Sequence, residues 1–281
     1  MTSGNDILLS ADRLAVGYGK PMLRGISIDI VPGECILLCG ANGSGKSTLL
    51  RTFAGAVPPL SGQIQASGIS LIPARIPKIA GFTLAEFIRL SQYRGGIWRG
   101  RPGPAEEEAL DQTLRMLDIG TLADRDLATL SDGEFQRGCI ATALIRILLS
   151  ERRSDKPAPG GKQGAESGMS FRKSGLILLD EPTAFLDVEG RLQVLQVLRD
   201  IVRETGASVL FSSHDLADSM AVASRILGIT TDGRLLDARP GESDRLLAEC
   251  FPTFQRNSLW NNRKAPPHRE AGDSADPSRT E

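Results

Sequence analysis

No apolar run in this 281-residue sequence approaches the ~20 residues needed to span a bilayer. The N-terminal stretch MTSGNDILLSADRL carries Asp6 and Asp12 where a signal peptide needs an uninterrupted apolar segment. The expectation is a cytoplasmic chain that meets a membrane only through another protein. Net charge is also scarce: 33 Lys plus Arg stand against 34 Asp plus Glu, so no global basic field marks a nucleic-acid partner. The four cysteines, Cys35, Cys39, Cys139 and Cys250, lack the paired close spacing of a zinc site. Cys35 and Cys39 fall in an apolar run that reads as a buried strand, which argues against metal or disulfide use. Histidine is scarcer still, with His214 in the body of the chain and His268 in a polar tail. No internal repeat is apparent.

What is present is the pattern of a layered α/β domain. Short apolar runs at 26–30, 35–39, 176–179 and 208–211, each bounded by Gly, Pro or polar residues, read as strands. Between them, residues 189–204 repeat Leu192, Leu195, Leu198 and Val202 at helical spacing, giving one apolar face to lay on a sheet. Alternation of such elements implies a mostly parallel sheet. Residues 1–254 are expected to form one domain, interrupted at 151–174 by a polar, Gly- and Pro-containing insertion that reads as flexible. Residues 255–281 read as a disordered polar tail.

Gly40-Ala41-Asn42-Gly43-Ser44-Gly45-Lys46-Ser47 fits G-x-x-x-x-G-K-[ST], follows the apolar run CILLC and precedes a helical run that continues Thr48-Leu49-Leu50. Strand, phosphate loop and helix stand in the required order. The glycines let backbone N–H groups turn inward around an anion at the positive end of a helix. Lys46 then reaches the outer phosphates and Ser47 offers a hydroxyl to Mg²⁺. The loop establishes a nucleotide without choosing among kinases, GTPases and ATPases. Further along, LILLDEP delivers Asp180 and Glu181 at the C-terminal end of a strand, where α/β sheets place ligands. Successive strand side chains diverge, so Asp180 suits a Mg²⁺ contact and Glu181 a general base for water.

Leu130-Ser131-Asp132-Gly133-Glu134-Phe135-Gln136-Arg137 closely resembles the signature of the ATP-binding-cassette family, usually L-S-G-G-Q followed by x-Q-R. Taken alone, residues 131–134 read equally well as a helix cap with Glu at the third position. Their place between phosphate loop and acidic strand favours the family. The resemblance, over residues 7–251, implies a P-loop NTPase core with an antiparallel β subdomain and a helical signature subdomain. It implies ATP and Mg²⁺ as ligands and ATP hydrolysis as the activity. It also implies an integral-membrane permease as partner, with an external substrate-binding protein acting indirectly. In that family two copies pair head to tail, and the signature of one, here Ser131 and Gly133, closes on the γ-phosphate held by the other. By the same resemblance Tyr18 stacks on adenine, although an isolated aromatic reads as core. Asp187, in AFLD, belongs to the loop that couples the two sites. His214, in LFSSHD, is the switch histidine that contacts the γ-phosphate.

One departure stands out. The family usually ends a core strand with a glutamine that senses Mg²⁺ and the permease, whereas LIPAR puts Ala74 there. Gln63 or Arg75 is a candidate to compensate. Within the family, LSDGE, LDEPTAFLD and RLSQYRGGIWRG, with Arg94 near an expected proline, resemble importers of iron chelates, haem and cobalamin. Competing readings are a cassette for another cargo or for export, and a soluble cassette protein acting in translation or DNA repair. Such soluble proteins usually carry two cassettes or a long coiled coil, and the charge balance gives no phosphate-backbone partner. A nucleotide-gated module with little turnover is a third class, which Ala74 makes conceivable.

Overall fold

The structure is a computed structural model that describes residues 7–92, 102–154 and 175–251, with side chains at 150–154 left aside. Strands β1 (Leu9–Tyr18), β2 (Lys20–Ile30) and β4 (Ser61–Ala66) form an antiparallel sheet in the order β2-β1-β4. The second sheet follows the order β5-β6-β7-β3-β8-β9, built from β3 (Cys35–Gly40), β5 (Ile69–Ile72), β6 (Leu176–Leu179), β7 (Ser208–Ser212), β8 (Arg225–Ile229) and β9 (Leu235–Ala238). All of its pairings are parallel except β8 with β9. The expected runs at 26–30, 35–39, 176–179 and 208–211 all lie in strands.

Because side chains alternate along a strand, the parallel sheet feeds two cores. Cys35, Leu37 and Cys39 of β3 point to one side with Ile177, Leu179, Val209, Phe211 and Ile226. There they meet α2 (Leu84–Leu90), α3 (Pro104–Met116), α4 (Asp132–Ser154), α5 (Val188–Thr205), α6 (Leu216–Val222) and α7 (Ser243–Cys250). Ile36 and Leu38 point to the other side, with Leu176, Leu178, Leu210 and Leu227. They pack on Leu49, Leu50 and Phe53 of α1 (Lys46–Phe53) and on the apolar face of the antiparallel sheet. Strands buried on both faces explain why these runs are continuously apolar. Each large side chain taken from water here contributes about 1.5–3 kcal/mol. Gly228 on β8 makes room for α7: a Cβ there would come 2.4 Å from Leu246 Cδ2 and 2.5 Å from Cys250 Sγ.

Two expectations change. The buried face of α5 is Val194, Leu195, Leu198 and Ile201, whereas Leu192 is exposed. A helix capped by Asp187 starts its apolar stripe one turn later than spacing alone suggests. Helix α4 runs on through Ser154, past the start of the insertion expected at Glu151. The rest of that insertion, the tail from 255 and the importer-like segment around Arg94 lie outside the described residues. All four cysteines are free and buried. Burial pushes the thiols of Cys35 and Cys139 up to about 12, which keeps them protonated packing groups. Among the described residues no helix is long and apolar enough to cross a membrane, and no His, Cys, Asp and Glu cluster could hold a metal ion.

Candidate active site

The phosphate loop leaves the C-terminal end of β3, the strand flanked by β7 and β8. Gly40, Gly43 and Gly45 have φ of 153°, 76° and 104°, conformations that side chains with a Cβ rarely adopt. A Cβ on Gly40 would also come 2.8 Å from Ser44 Oγ and 3.0 Å from the Ile229 carbonyl. Gly45 is the N-cap of α1 and makes no side-chain cap, and the first turn holds no acidic residue, so among the described residues no side chain caps the positive end of the helix. Asn42 and Gly43 are exposed at the loop crest, and Ser44 Oγ is buried without a partner. Thr48 is buried in the first turn of α1. The cradle therefore has the N–H donors, the aligned helix end and the clearance that a polyphosphate needs.

Lys46 is only 5% exposed, and its Nζ donates to the carbonyls of Gly40 at 2.9 Å and Ala41 at 3.2 Å. Burial holds its ammonium below the usual lysine range, opposed by the nearby charges of Glu181 and Asp180. The two acids diverge as expected, but just past the strand, which ends at Leu179, and through the backbone of Glu181 rather than through strand alternation. Asp180 is buried, and its Oδ1 accepts hydrogen bonds of 3.0 Å from both Ser47 Oγ and Ser212 Oγ. Glu181 takes the left-handed backbone, φ 52°, and its Oε1 lies 2.6 Å from His214 Nε2. Such strain in a non-glycine residue persists only where its surroundings hold it. Here Ser212 Oγ accepts from the Glu181 N–H at 2.8 Å. Ser212 thus fastens both acids from the neighbouring strand, a role sequence reasoning missed. Its signal was the polar pair ahead of His214 in LFSSHD, read against a strand that had to lie beside LILL. Ser47 and Asp180 offer a hydroxyl and a carboxylate, the hard oxygen donors that suit Mg²⁺.

The other expected site residues lie apart from this cluster. Tyr18 ends β1 and is 61% exposed, so the core alternative fails. Its hairpin flanks the loop through Leu23, which packs at 3.5 Å on the position of a Cβ at Gly45. Ser131 and Gly133 open α4. Glu134 Oε2 accepts from the Ser131 N–H at 2.7 Å and Ser131 Oγ accepts from the Glu134 N–H at 3.2 Å. The signature is thus a capping box in its own chain, with the Ser131 hydroxyl also turned to the Glu134 carboxylate. Asp187 likewise has a local task, accepting from the Gly190 N–H at 2.8 Å to cap α5. Gly133 sits against Gly190, and the two segments wall a cleft of about 420 Å³ lined by Ser131, Gly133, Arg137, Phe185 and Asp187.

Ala74 lies two residues beyond β5, whose last pair is Ile72 with Leu179, and so stands beside the acidic strand end. Neither expected substitute replaces a glutamine there. Gln63 is exposed on β4, opposite Asp12 in the antiparallel sheet. The Arg75 guanidinium lies 4.8 Å from the ring centroid of Phe185, a cation–π contact that engages it there.

The capping box has a pH consequence. Glu134 is held below its ordinary value of 4.5, first by the bond from the Ser131 N–H and then by the Ser131 hydroxyl, Arg125 and Arg137, against some desolvation. A depressed carboxylate stabilises fully above its unfolded pKa, and that contribution is lost as pH falls through the lower folded value. Glu134→Gln keeps an acceptor oxygen and does not titrate. It should flatten the acid limb of melting temperature against pH below about pH 4; an unchanged limb would exclude Glu134 as a source of that limb.

The described motifs coincide with matches to known proteins. The family model described as ABC transporter matches residues 23–147. The zinc import ATP-binding protein ZnuC of Roseobacter denitrificans is 33% identical over 226 residues, covering 78% of this chain and 74% of that protein. The achromobactin transport ATP-binding protein CbrD of Dickeya dadantii is 25% identical over 249 residues, covering 83% of each. Among solved structures, cbiO1 of Clostridium perfringens, part of the transporter complex cbiONQ, shares the fold with a TM-score of 0.66 at 22% identity, over 90% of this chain and 98% of that one. With a phosphate loop, an acidic strand end and a signature in one α/β fold, the chain belongs to the ABC transporter family as an ATP-binding, ATP-hydrolysing subunit.

Proposed function

We propose that this chain binds Mg-ATP between its own phosphate loop and the signature of a second copy, and hydrolyses it to drive import of a metal or metal chelate through a permease. The observation that carries the reading is the convergence of Lys46, Ser47, Asp180, Glu181 and His214 at the C-terminal ends of β3, β6 and β7, with Glu181 and His214 2.6 Å apart.

The chain's own residues divide the work. Backbone N–H groups of residues 43–48 hold the β- and γ-phosphates, and Lys46 exchanges its two carbonyl partners for phosphate oxygens. Ser47 and Asp180 hold Mg²⁺, which when bound neutralises charge developing on the phosphates. Glu181 takes the proton of the attacking water, and His214 fixes the carboxylate and reaches toward the γ-phosphate. Tyr18 is free at its hairpin end to stack on adenine. From the second copy, Ser131 turns its hydroxyl proton from Glu134 to the γ-phosphate, with Gly133 leaving room for the approach, and Asp187 lies beside that contact. ATP completes contacts available only to the paired form and so shifts the population toward it.

Support for a metal cargo comes from the sequence resemblance to iron-chelate, haem and cobalamin importers and from relatives named for zinc and achromobactin. The chain would sit on the cytoplasmic face of a membrane through its permease, with an external binding protein delivering cargo. Reconstitution with that permease and binding protein in vesicles provides the test. ATP hydrolysis should rise with zinc or a ferric chelate and label should accumulate on the side of the cassette. Outward movement, or stimulation only by a metal-free solute, would contradict the import reading.

A further inference from the structure

The loop after β5 grips the signature. Lys78 Nζ donates at 2.7 Å to the Leu130 carbonyl and at 2.7 Å to Asp132 Oδ1, the residues on either side of Ser131. Its ammonium also lies 5.7 Å from the ring centroid of Phe135, which is buried in the first turns of α4 and packs on Phe87. The three contacts bracket residues 130–135. Lys78 is held on one side of the segment and Glu134 closes the capping box within it, so the main chain at Ser131 has little freedom to rotate. The carboxylate partner comes with the LSDGE form of the signature, since the usual family form has glycine where Asp132 stands. Asp132 suits the first turn of a helix on dipole grounds as well. Three residues earlier in the same loop, Arg75 lies over Phe185, on the opposite wall of the cleft that holds Ser131 and Asp187. Phe185 has φ 68°, a left-handed conformation that such a contact helps to hold. A stretch of four residues thus touches both walls of one cleft, immediately after the alanine that stands where a glutamine is usual.

We propose that Lys78 is a positioning residue for the signature: through the Leu130 carbonyl and Asp132 it sets the height and orientation of Ser131 and Gly133 toward the ATP of the second copy. This rests on the head-to-tail pairing proposed above. Energetically the Lys78–Asp132 pair is modest, because Asp132 is 67% exposed and such pairs are screened. The effect belongs to geometry in the paired form, where a misplaced donor costs rate without costing the fold. It also gives the loop a direct handle on the signature that does not pass through the missing glutamine.

The test uses the full chain with Lys78→Met, Lys78→Arg and Asp132→Asn. Lys78→Met should leave the ATP affinity of the unpaired chain within about twofold of wild type while kcat falls about tenfold. Lys78→Arg, which keeps charge and donors, should recover to within about threefold, and Asp132→Asn should fall between these. Wild-type kcat in Lys78→Met, an equal loss of ATP affinity, or an arginine no better than methionine would overturn the proposal. In the Glu181→Gln background, Lys78→Met should also weaken ATP-driven pairing about tenfold. If Glu181→Gln alone does not pair with ATP, the head-to-tail reading falls and takes this proposal with it. If Glu181→Gln pairs and the double variant pairs equally well, only the role of Lys78 is wrong.

Discussion

Replacing Glu181 with glutamine should leave ATP bound at close to normal affinity and lower turnover by roughly 10²–10⁴-fold, the usual contribution of a positioned general base. The amide matches the carboxylate in size, can keep a hydrogen bond to His214 and leaves the Glu181 N–H on Ser212. What it cannot do is accept the proton of the attacking water. The main-chain strain at φ 52° is unchanged by the substitution, so the side chain stays where it was. Single-turnover hydrolysis alongside equilibrium nucleotide binding separates the two effects. Turnover near the wild-type rate would mean that some other group takes the proton. Asp180 is a poor candidate, because its Oδ1 already accepts from Ser47 and Ser212 in a buried position.

Lys46→Ala acts on binding instead. A hydrogen bond to a charged group contributes about 1.5–3 kcal/mol, so losing the ammonium should weaken ATP binding by roughly 10²-fold. The nucleotide-free fold should not suffer in proportion. Burial lowers the Lys46 pKa, which means the fold disfavours the charged form, and removing it relieves that cost while forfeiting two bonds to loop carbonyls. The expected pattern is a melting temperature without nucleotide at or above that of wild type, and almost no rise when Mg-ATP is added. Ligand binding raises stability by an amount set by concentration over Kd, so the missing rise reports the lost affinity directly. A normal ATP-induced rise in Lys46→Ala would place the phosphates elsewhere.

The parts of this architecture visible in the sequence were those whose physics is local. Glycines at 40, 43 and 45 are legible because only residues without a Cβ accept their backbone angles, and LILLDEP because a doubly buried strand must be apolar until it reaches the site. The capping box at Ser131 is legible for the same reason, since Ser131 and Glu134 lie three residues apart. What stayed hidden depends on which strands become neighbours. Ser212 matters because β7 lies between β6 and β3, an order that no window of sequence displays. Lys78 meets Asp132 across 54 positions, and Arg75 meets Phe185 by packing alone. Gln63 was a reasonable substitute for the missing glutamine by chemistry, but it is exposed on β4 of the antiparallel sheet rather than on the strand beside β6, a placement sequence does not display. Leu192 erred differently: helical spacing shows a stripe but not where along the helix it meets the core, and Leu192 is exposed where Val194 and Leu195 are buried.

The pairing of two copies around ATP is the central claim, and the solution mass of the Glu181→Gln protein measures it most directly. With Mg-ATP the mass should double relative to the 30.1 kDa chain, return to that of one chain when ATP is replaced by ADP, and fail to double when Ser131 is also replaced by Arg. A protein that remains a single chain at saturating ATP, or one that pairs equally well with the Ser131→Arg signature, would contradict it.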